Sequence, residues 1–339
     1  MHLNSKFVII SLLVLLAADC GNQSPVVIKH TFYRMDTIVD LIIVNKKSFN
    51  ADPLWSEIDS VLKNWEERFS ITTKNSEIKK INDRVHDTIP ISKQLGDMVS
   101  SALQYGDSLN GAFDFTILPL KSVWGLSEDS PENAPLPTTQ QVDSARALVD
   151  YRKVHLNNQH DTLYFSSRMV KIDIGGVAKG FAMRRVEELL LQRGITSFLL
   201  NGGGDIVGRG KKPDGSSWVI GVQDPRKQDQ ALATFKLDSG AVFTSGDYER
   251  FRIVNGVRIH HIFNPHTGYS CTGNQSVTIY GQDAIQCKFL STGLFCRSAD
   301  SILEYVNKRP KIECLVVDSL GKVFVSDRWK GKVTFTTPQ

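Results

Sequence analysis

The chain has 339 residues, 41% of them hydrophobic and 22% charged, with a formal net charge of +4. That composition suits a globular protein with a sizeable core, built as one large domain or two ordinary ones. So mild a charge, with no basic run, argues against nucleic acid as a partner. Residues 1–19 read as a signal peptide: His2 and Lys6 precede an unbroken uncharged stretch over residues 7–18, and Asp19-Cys20 follows. Such a stretch is too short to span a bilayer but suits a signal-peptide core. A cysteine directly after it suggests lipoprotein processing, with Cys20 lipidated at the mature N-terminus. Asp19 is not the small residue such processing favours, so ordinary cleavage and an uncleaved anchor stay open. Residues 20–29 then form a tether and residues 30–339 one folded domain, held at the membrane of a bacterial cell envelope and facing the periplasm or the outside. Export permits disulfides. Cys271, Cys287, Cys296 and Cys314 show no C-x-x-C and no His/Cys ligand spacing, however, and read as small buried hydrophobes.

Residues 26–44 hold two strand-like runs around Arg34-Met35-Asp36-Thr37. Trp55, Ile58, Val61, Leu62, Trp65 and Phe69 share one helix face. Residues 92–109, 139–149 and 283–295 read as further helices, and residues 218–222 as a strand closing on Asp224-Pro225. The most informative stretch is residues 171–205, KIDIGGVAKGFAMRRVEELLLQRGITSFLLNGGGD. Alternation over residues 169–174 predicts a strand ending at Asp173 and Gly175-Gly176. Ala178, Phe181, Ala182, Val186, Leu189 and Leu190 predict a helix that Gly194 closes as a left-handed cap. Residues 195–200 predict a second strand, ending in Gly202-Gly203-Gly204-Asp205. If the two strands are neighbours, the glycine loops lie side by side. Their N–H groups and the helix N-terminus then suit a phosphorylated ligand. The alternative is a pair of tight turns around a crossover helix. The Walker and dinucleotide fingerprints are both absent.

DIGGVAKGFA followed by NGGGD resembles the FAD:protein FMN transferase (ApbE-type) family, and other segments follow in that family's order. They are FSITTKNSEIKKIND, GAFDFTILPLKSVWG, AVFTSGDYE, RIHHIFNPHTGY and CKFLSTGLF. The chain departs from the pattern at Asp36 and Thr72, where the family has a glycine and a flavin-packing tyrosine. It departs again at Phe115 for a proline, Asn264 for an Asp, and Lys288 for an Asp. The resemblance implies an α+β fold, a single compact domain on a twisted mixed β-sheet with packed helices. It implies FAD as donor and FMN transfer to a threonine hydroxyl of an exported flavoprotein, with release of AMP. A membrane redox complex subunit is one such acceptor. Water in place of threonine would make the same site a FAD pyrophosphatase. Loss of chemistry would leave a flavin-binding lipoprotein.

The resemblance assigns His261 as general base, since a neutral imidazole can take a hydroxyl proton as that oxygen attacks phosphorus. His260 should point the other way along the strand. Lys179 is the second catalytic candidate, as a charge stabiliser, or else a solvated lysine. The FAD contacts implied are Met35, Thr37, Phe113, Asp114, Thr116, Asp173, Gly175, Gly176, Lys179, Gly203, Gly204, Asp205, Thr244, Ser245, Gly246, Glu249, Thr267 and Gly268. Asp173 and Asp205 read equally well as turn caps. The family's magnesium is held by a helix Asp, a Thr four residues later and a backbone carbonyl. Ala178 and Thr292 match that set, but Lys288 replaces the carboxylate, and an ammonium cannot ligate Mg2+. Lys288 either points inward and neutralises phosphate itself, or points outward with the metal lost.

Overall fold

The computed structural model describes residues 25–127, 130–131 and 134–336. The expected signal peptide and Cys20 lie outside the described residues. The chain opens with a hairpin of β1 (Val26–Arg34) and β2 (Thr37–Asn45). Met35 and Asp36 close it with φ of 57° and 55°. Both turn residues are left-handed, as a two-residue hairpin of this twist requires. β1 therefore takes residues 26–29, expected to belong to the tether, because pairing with β2 begins at Val26↔Asn45.

α1 (Asp52–Phe69) buries Leu54, Ile58, Leu62, Trp65 and Phe69, the predicted face. α2 (Glu77–Asn82) is capped by the Ser76 side chain. After β3 (Thr88–Pro90), Ser92 caps α3 (Lys93–Ser108) in the same way. α4 (Leu118–Val123) and α5 (Thr139–Arg146) follow, the second started by a capping box between Thr138 and Gln141. α5 stops short of the expected residue 149, and β4 (Val154–Leu156) and β5 (Thr162–Phe165) complete a three-stranded sheet with β3.

Residues 169–174 are not a strand, contrary to the alternation. Val170, Ile172 and Ile174 are buried, but no neighbouring strand takes their backbone. Instead the Asn82 side chain brackets Ile172, donating to its carbonyl and accepting from its amide, each at 2.8 Å. The Asp173 amide donates to the Phe115 carbonyl at 2.7 Å. The backbone demand is met by one side chain and one loop carbonyl.

α6 (Gly175–Gln192) then starts at the glycines themselves, and Gly194 follows it with φ of 75°. The remaining elements are β6 (Phe198–Gly202), β7 (Asp205–Arg209), β8 (Trp218–Asp224), β9 (Lys227–Leu237) and β10 (Ser239–Gly246). β11 (Phe251–Val254), β12 (Val257–His260) and β13 (Asn274–Gly281) lead to α7 (Ala284–Leu294) and α8 (Ala299–Asn307). β14 (Glu313–Asp318), β15 (Val323–Val325) and β16 (Val333–Phe335) end the described chain.

The main sheet has eight strands in the order β1-β2-β6-β7-β10-β13-β14-β15. Its pairings are antiparallel throughout, so within the expected α+β class the sheet is antiparallel rather than mixed. Alternation along each strand feeds two cores. Phe243, Ile279 and Leu41 face α1, α6 and α7, while Val242, Leu315 and Val317 face the small sheet β16-β9-β8. The result is three layers: helices, main sheet, small sheet. A third cluster around Leu120, Trp124, Ile259 and Phe263 ties α4 and α5 to β12.

Cys271 and Cys296 form a disulfide with Cα atoms 5.0 Å apart, which corrects the reading of all four cysteines as buried thiols. The bridge joins the segment after β12 to the end of α7, a proximity that exists only once both have docked. Cys287 and Cys314 are free and buried, as expected. Among the described residues no helix is long and apolar enough to cross a membrane.

Candidate active site

A cleft with an enclosed volume of about 80 Å³ opens where α4, α6, α7, the end of β10 and the segment after β12 converge. His261 is set on one wall by main-chain bonding. Its amide donates to the Arg250 carbonyl at 3.0 Å, and its Nδ1 lies 3.2 Å from the same oxygen. A carbonyl can only accept, so Nδ1 carries the proton and Nε2 keeps its lone pair. Burial and the nearby Lys121 ammonium push the imidazole down to about 3, so it is neutral. His260 points the other way, its Nε2 at 2.6 Å from the Cys271 carbonyl, as strand alternation required.

α6 supplies the opposite wall. Gly176 borders the cleft, and a Cβ there would meet nothing within 4 Å, so its backbone lies open to a ligand. Asp173 stands just before the helix. Its Oδ1 accepts from the Gly175 amide at 2.8 Å and its Oδ2 from Lys121 Nζ at 2.5 Å. Burial alone would raise this carboxyl, but the Lys121 ammonium and these bonds hold it below the usual range. Asp173 thus caps this turn and also lines the cleft. Lys121 escaped the sequence reading because no spacing couples position 121 to position 173.

The floor is a charge cluster. Asp205 Oδ2 takes Lys288 Nζ at 3.3 Å and Lys179 Nζ at 3.5 Å, while its Oδ1 lies 3.3 Å from the Thr244 amide. Lys288 points inward, its side chain only 11% exposed. Burial opposes its charge, yet the Asp205 and Glu249 carboxylates outweigh that and raise its pKa. Glu249, at the cleft edge, is itself pushed up by desolvation. Thr292 and Ser245 face each other with hydroxyls 3.2 Å apart, and Phe113 borders the same space.

Other sequence candidates lie elsewhere. Gly203 and Gly204 are a β6–β7 hairpin turn with φ of 63° and 93°, not a second phosphate loop. Their amides are spent on the Ile38 carbonyl at 3.0 Å and on Asn201 Oδ1 at 2.8 Å. β6 pairs with β2 and β7, so the two glycine clusters are not the ends of neighbouring strands. Thr37 abuts Gly203, where any Cβ would collide with its hydroxyl. Met35 packs on the core and donates its amide to Glu66 at 2.8 Å.

Thr244 sits on the far face of β10 from Ser245, with its hydroxyl 2.9 Å from that of Thr278. Gly246 packs under Tyr248. Asp114 borders the cleft, but its oxygens are spent on the Thr116 amide and hydroxyl, at 2.7 and 2.6 Å, and on the Tyr151 amide at 2.9 Å. Thr267 and Gly268 form the turn after Asn264, and the Gly268 carbonyl accepts from the Trp124 indole at 2.8 Å. Thr72 borders an open depression beside the cleft, together with Asp36, Glu249 and Phe251. Phe251 is an aromatic face that no motif announced.

A magnesium ion does not fit the residues present. Mg2+ needs near-octahedral oxygen ligands. Here an ammonium fills the place of the carboxylate, and the Thr292 hydroxyl is engaged with Ser245. Among the described residues no group of three or more His, Cys, Asp or Glu could hold a metal.

The ApbE family model matches residues 35–316. An FAD:protein FMN transferase of Haemophilus influenzae is 30% identical over 269 residues, covering 77% of this chain and 77% of the relative. One from Salmonella typhimurium is 28% identical over 256 residues, covering 74% and 70%. The solved ApbE protein of Thermotoga maritima superposes with a TM-score of 0.83 at 31% identity, covering 90% of this chain and 99% of that one. The flavin transferase ApbE of Vibrio cholerae shares the fold at a TM-score of 0.80 and 23% identity, covering 91% and 99%.

Proposed function

The chain belongs to the ApbE family, and from that premise we propose that it is a FAD:protein FMN transferase. The observation that carries the reading is one cleft lined by a bare imidazole nitrogen at His261, an open helix N-terminus at Gly176 and the ammonium groups of Lys121 and Lys288. His261 Nε2 takes the proton of an acceptor hydroxyl. The freed oxygen attacks the flavin-side phosphorus of FAD, a P–O bond forms, and the bond to the bridging oxygen breaks. AMP leaves with that oxygen, and the proton held on His261 passes to AMP or to water. The ammonium groups and the α6 N-terminus offset charge on the phosphoryl oxygens as it builds. No step is routed through a metal.

The acceptor is a threonine of an exported flavoprotein, with a subunit of a membrane redox complex as the natural setting. The support is the leader-like residues 1–19 and the Cys20 lipidation pattern, which suit an enzyme held on a bacterial membrane and facing outward. The test is to incubate the mature protein with FAD, with and without an acceptor protein, and to quantify AMP. Release that depends on acceptor is the expected result. Equal release without acceptor would make it a pyrophosphatase, and FAD binding with no AMP would make it a flavin carrier.

A further inference from the structure

Lys288 is not a surface lysine that happens to fall near the site. It lies on α7 against α6, where a Cβ on Gly180 would come within 3.0 Å of Lys288 Cβ and 3.3 Å of the Ala284 carbonyl oxygen. The missing side chain at Gly180 makes room for the lysine stem and aims it at the cleft floor. There its Nζ stands 3.3 Å from Asp205 Oδ2, with Lys179 Nζ 3.5 Å from the same oxygen. The two ammoniums share the Asp205 carboxylate, with the Glu249 carboxylate beside them. An ammonium has three N–H donors. With one turned to Asp205, two remain for a ligand. Ser245 and Thr292 hydroxyls and the open Gly176 backbone border the same space.

We infer that Lys288, supported by Lys179 and Asp205, is a resident cation that binds the FAD pyrophosphate in place of a divalent metal ion. The inference rests on the FAD reading above and goes beyond it by fixing how the pyrophosphate charge is met. A fixed ammonium at this spot repels an incoming Mg2+, so the enzyme works without one. It also removes the carboxylate that would have recruited the ion.

Calorimetry of FAD binding, in EDTA and in Mg2+, with wild type, Lys288→Met, Lys288→Arg and Lys288→Asp tests it. Electron paramagnetic resonance of Mn2+ added to the FAD-loaded proteins gives a second readout. Wild type should bind FAD equally in both media and take up no stoichiometric Mn2+. Lys288→Met should lose affinity by about 10- to 100-fold in both media, the usual cost of a lost charged hydrogen bond. Lys288→Arg should retain most of it. Lys288→Asp should bind FAD weakly in EDTA, recover in Mg2+, and hold one Mn2+. Circular dichroism confirms that each variant is folded, and Lys288→Met alone decides the matter if the Asp variant is not. Stoichiometric Mn2+ on wild type, or unchanged affinity in a folded Lys288→Met protein, overturns the inference and leaves the FAD reading intact. No FAD binding by wild type in either medium overturns the FAD reading, and this inference with it.

Discussion

At the level of single residues, the Arg250 carbonyl fixes the His261 tautomer and the surrounding protein keeps the ring neutral. His261→Ala should therefore lower FMN transfer by about 10²- to 10⁴-fold, the range for a lost general base. FAD affinity should stay within a few-fold, since the ring is needed for the proton and not for the ground-state contacts. Transfer at the wild-type rate would remove His261 from the mechanism. The protonation state can be read directly from imidazole resonances, with His261 identified by its disappearance in the Ala variant. That signal should not shift between pH 8 and pH 5, because burial holds the folded pKa well below the ordinary 6.5. The unfolded chain takes up this proton first as pH falls. The site thus contributes full stability above pH 6.5 and loses it on the acid side. A midpoint near 6.5 would contradict the buried environment.

His261 was singled out through the resemblance, and strand alternation added only that His260 should point the other way, as it does. Lys121 was not, because its partner Asp173 is brought to it only by tertiary packing. Thr244 was misplaced for the opposite reason. A motif groups neighbours, whereas a strand sends them to opposite faces.

At the scale of elements, α6 and α7 pack closely because Gly180 has no side chain. Gly180→Leu should destabilise the protein by about 1–3 kcal/mol, the usual cost of overpacking. It should also weaken FAD binding by displacing Lys288. Urea unfolding and calorimetry measure the two effects, and a variant of unchanged stability would contradict this account of the contact. The Cys271–Cys296 bridge spans 25 residues of sequence. Closing a loop of that length contributes about 3 kcal/mol in the chain-entropy view. Cys296→Ser should lower stability by roughly 2–4 kcal/mol, and an unchanged denaturation midpoint would show that the bridge adds nothing.

The helix period of α1 was readable from sequence because that helix buries one stripe. Residues 169–174 were not, because their alternation reflects burial alone. Their backbone partner is the Asn82 side chain, 90 positions from Ile172, and periodicity carries no trace of it.

For the molecule as a whole, the antiparallel main sheet is a platform with a helical layer on one face and a small sheet on the other. The cleft forms on the helical side, where the ends of α4, α6 and α7 meet the loops after β10 and β12. The α+β class came through the family resemblance. Periodicity could not convey strand order, because β6 joins β2 across more than 150 residues of intervening chain. The central claim is that this cleft moves FMN from FAD onto a protein hydroxyl. The most direct test is mass spectrometry of an acceptor flavoprotein after incubation with FAD and the enzyme, with AMP measured in the same sample. The account predicts one phosphoester-linked FMN on an acceptor threonine for each AMP released, and both products formed about 10²- to 10⁴-fold more slowly with His261→Ala. An unmodified acceptor alongside consumed FAD would contradict it.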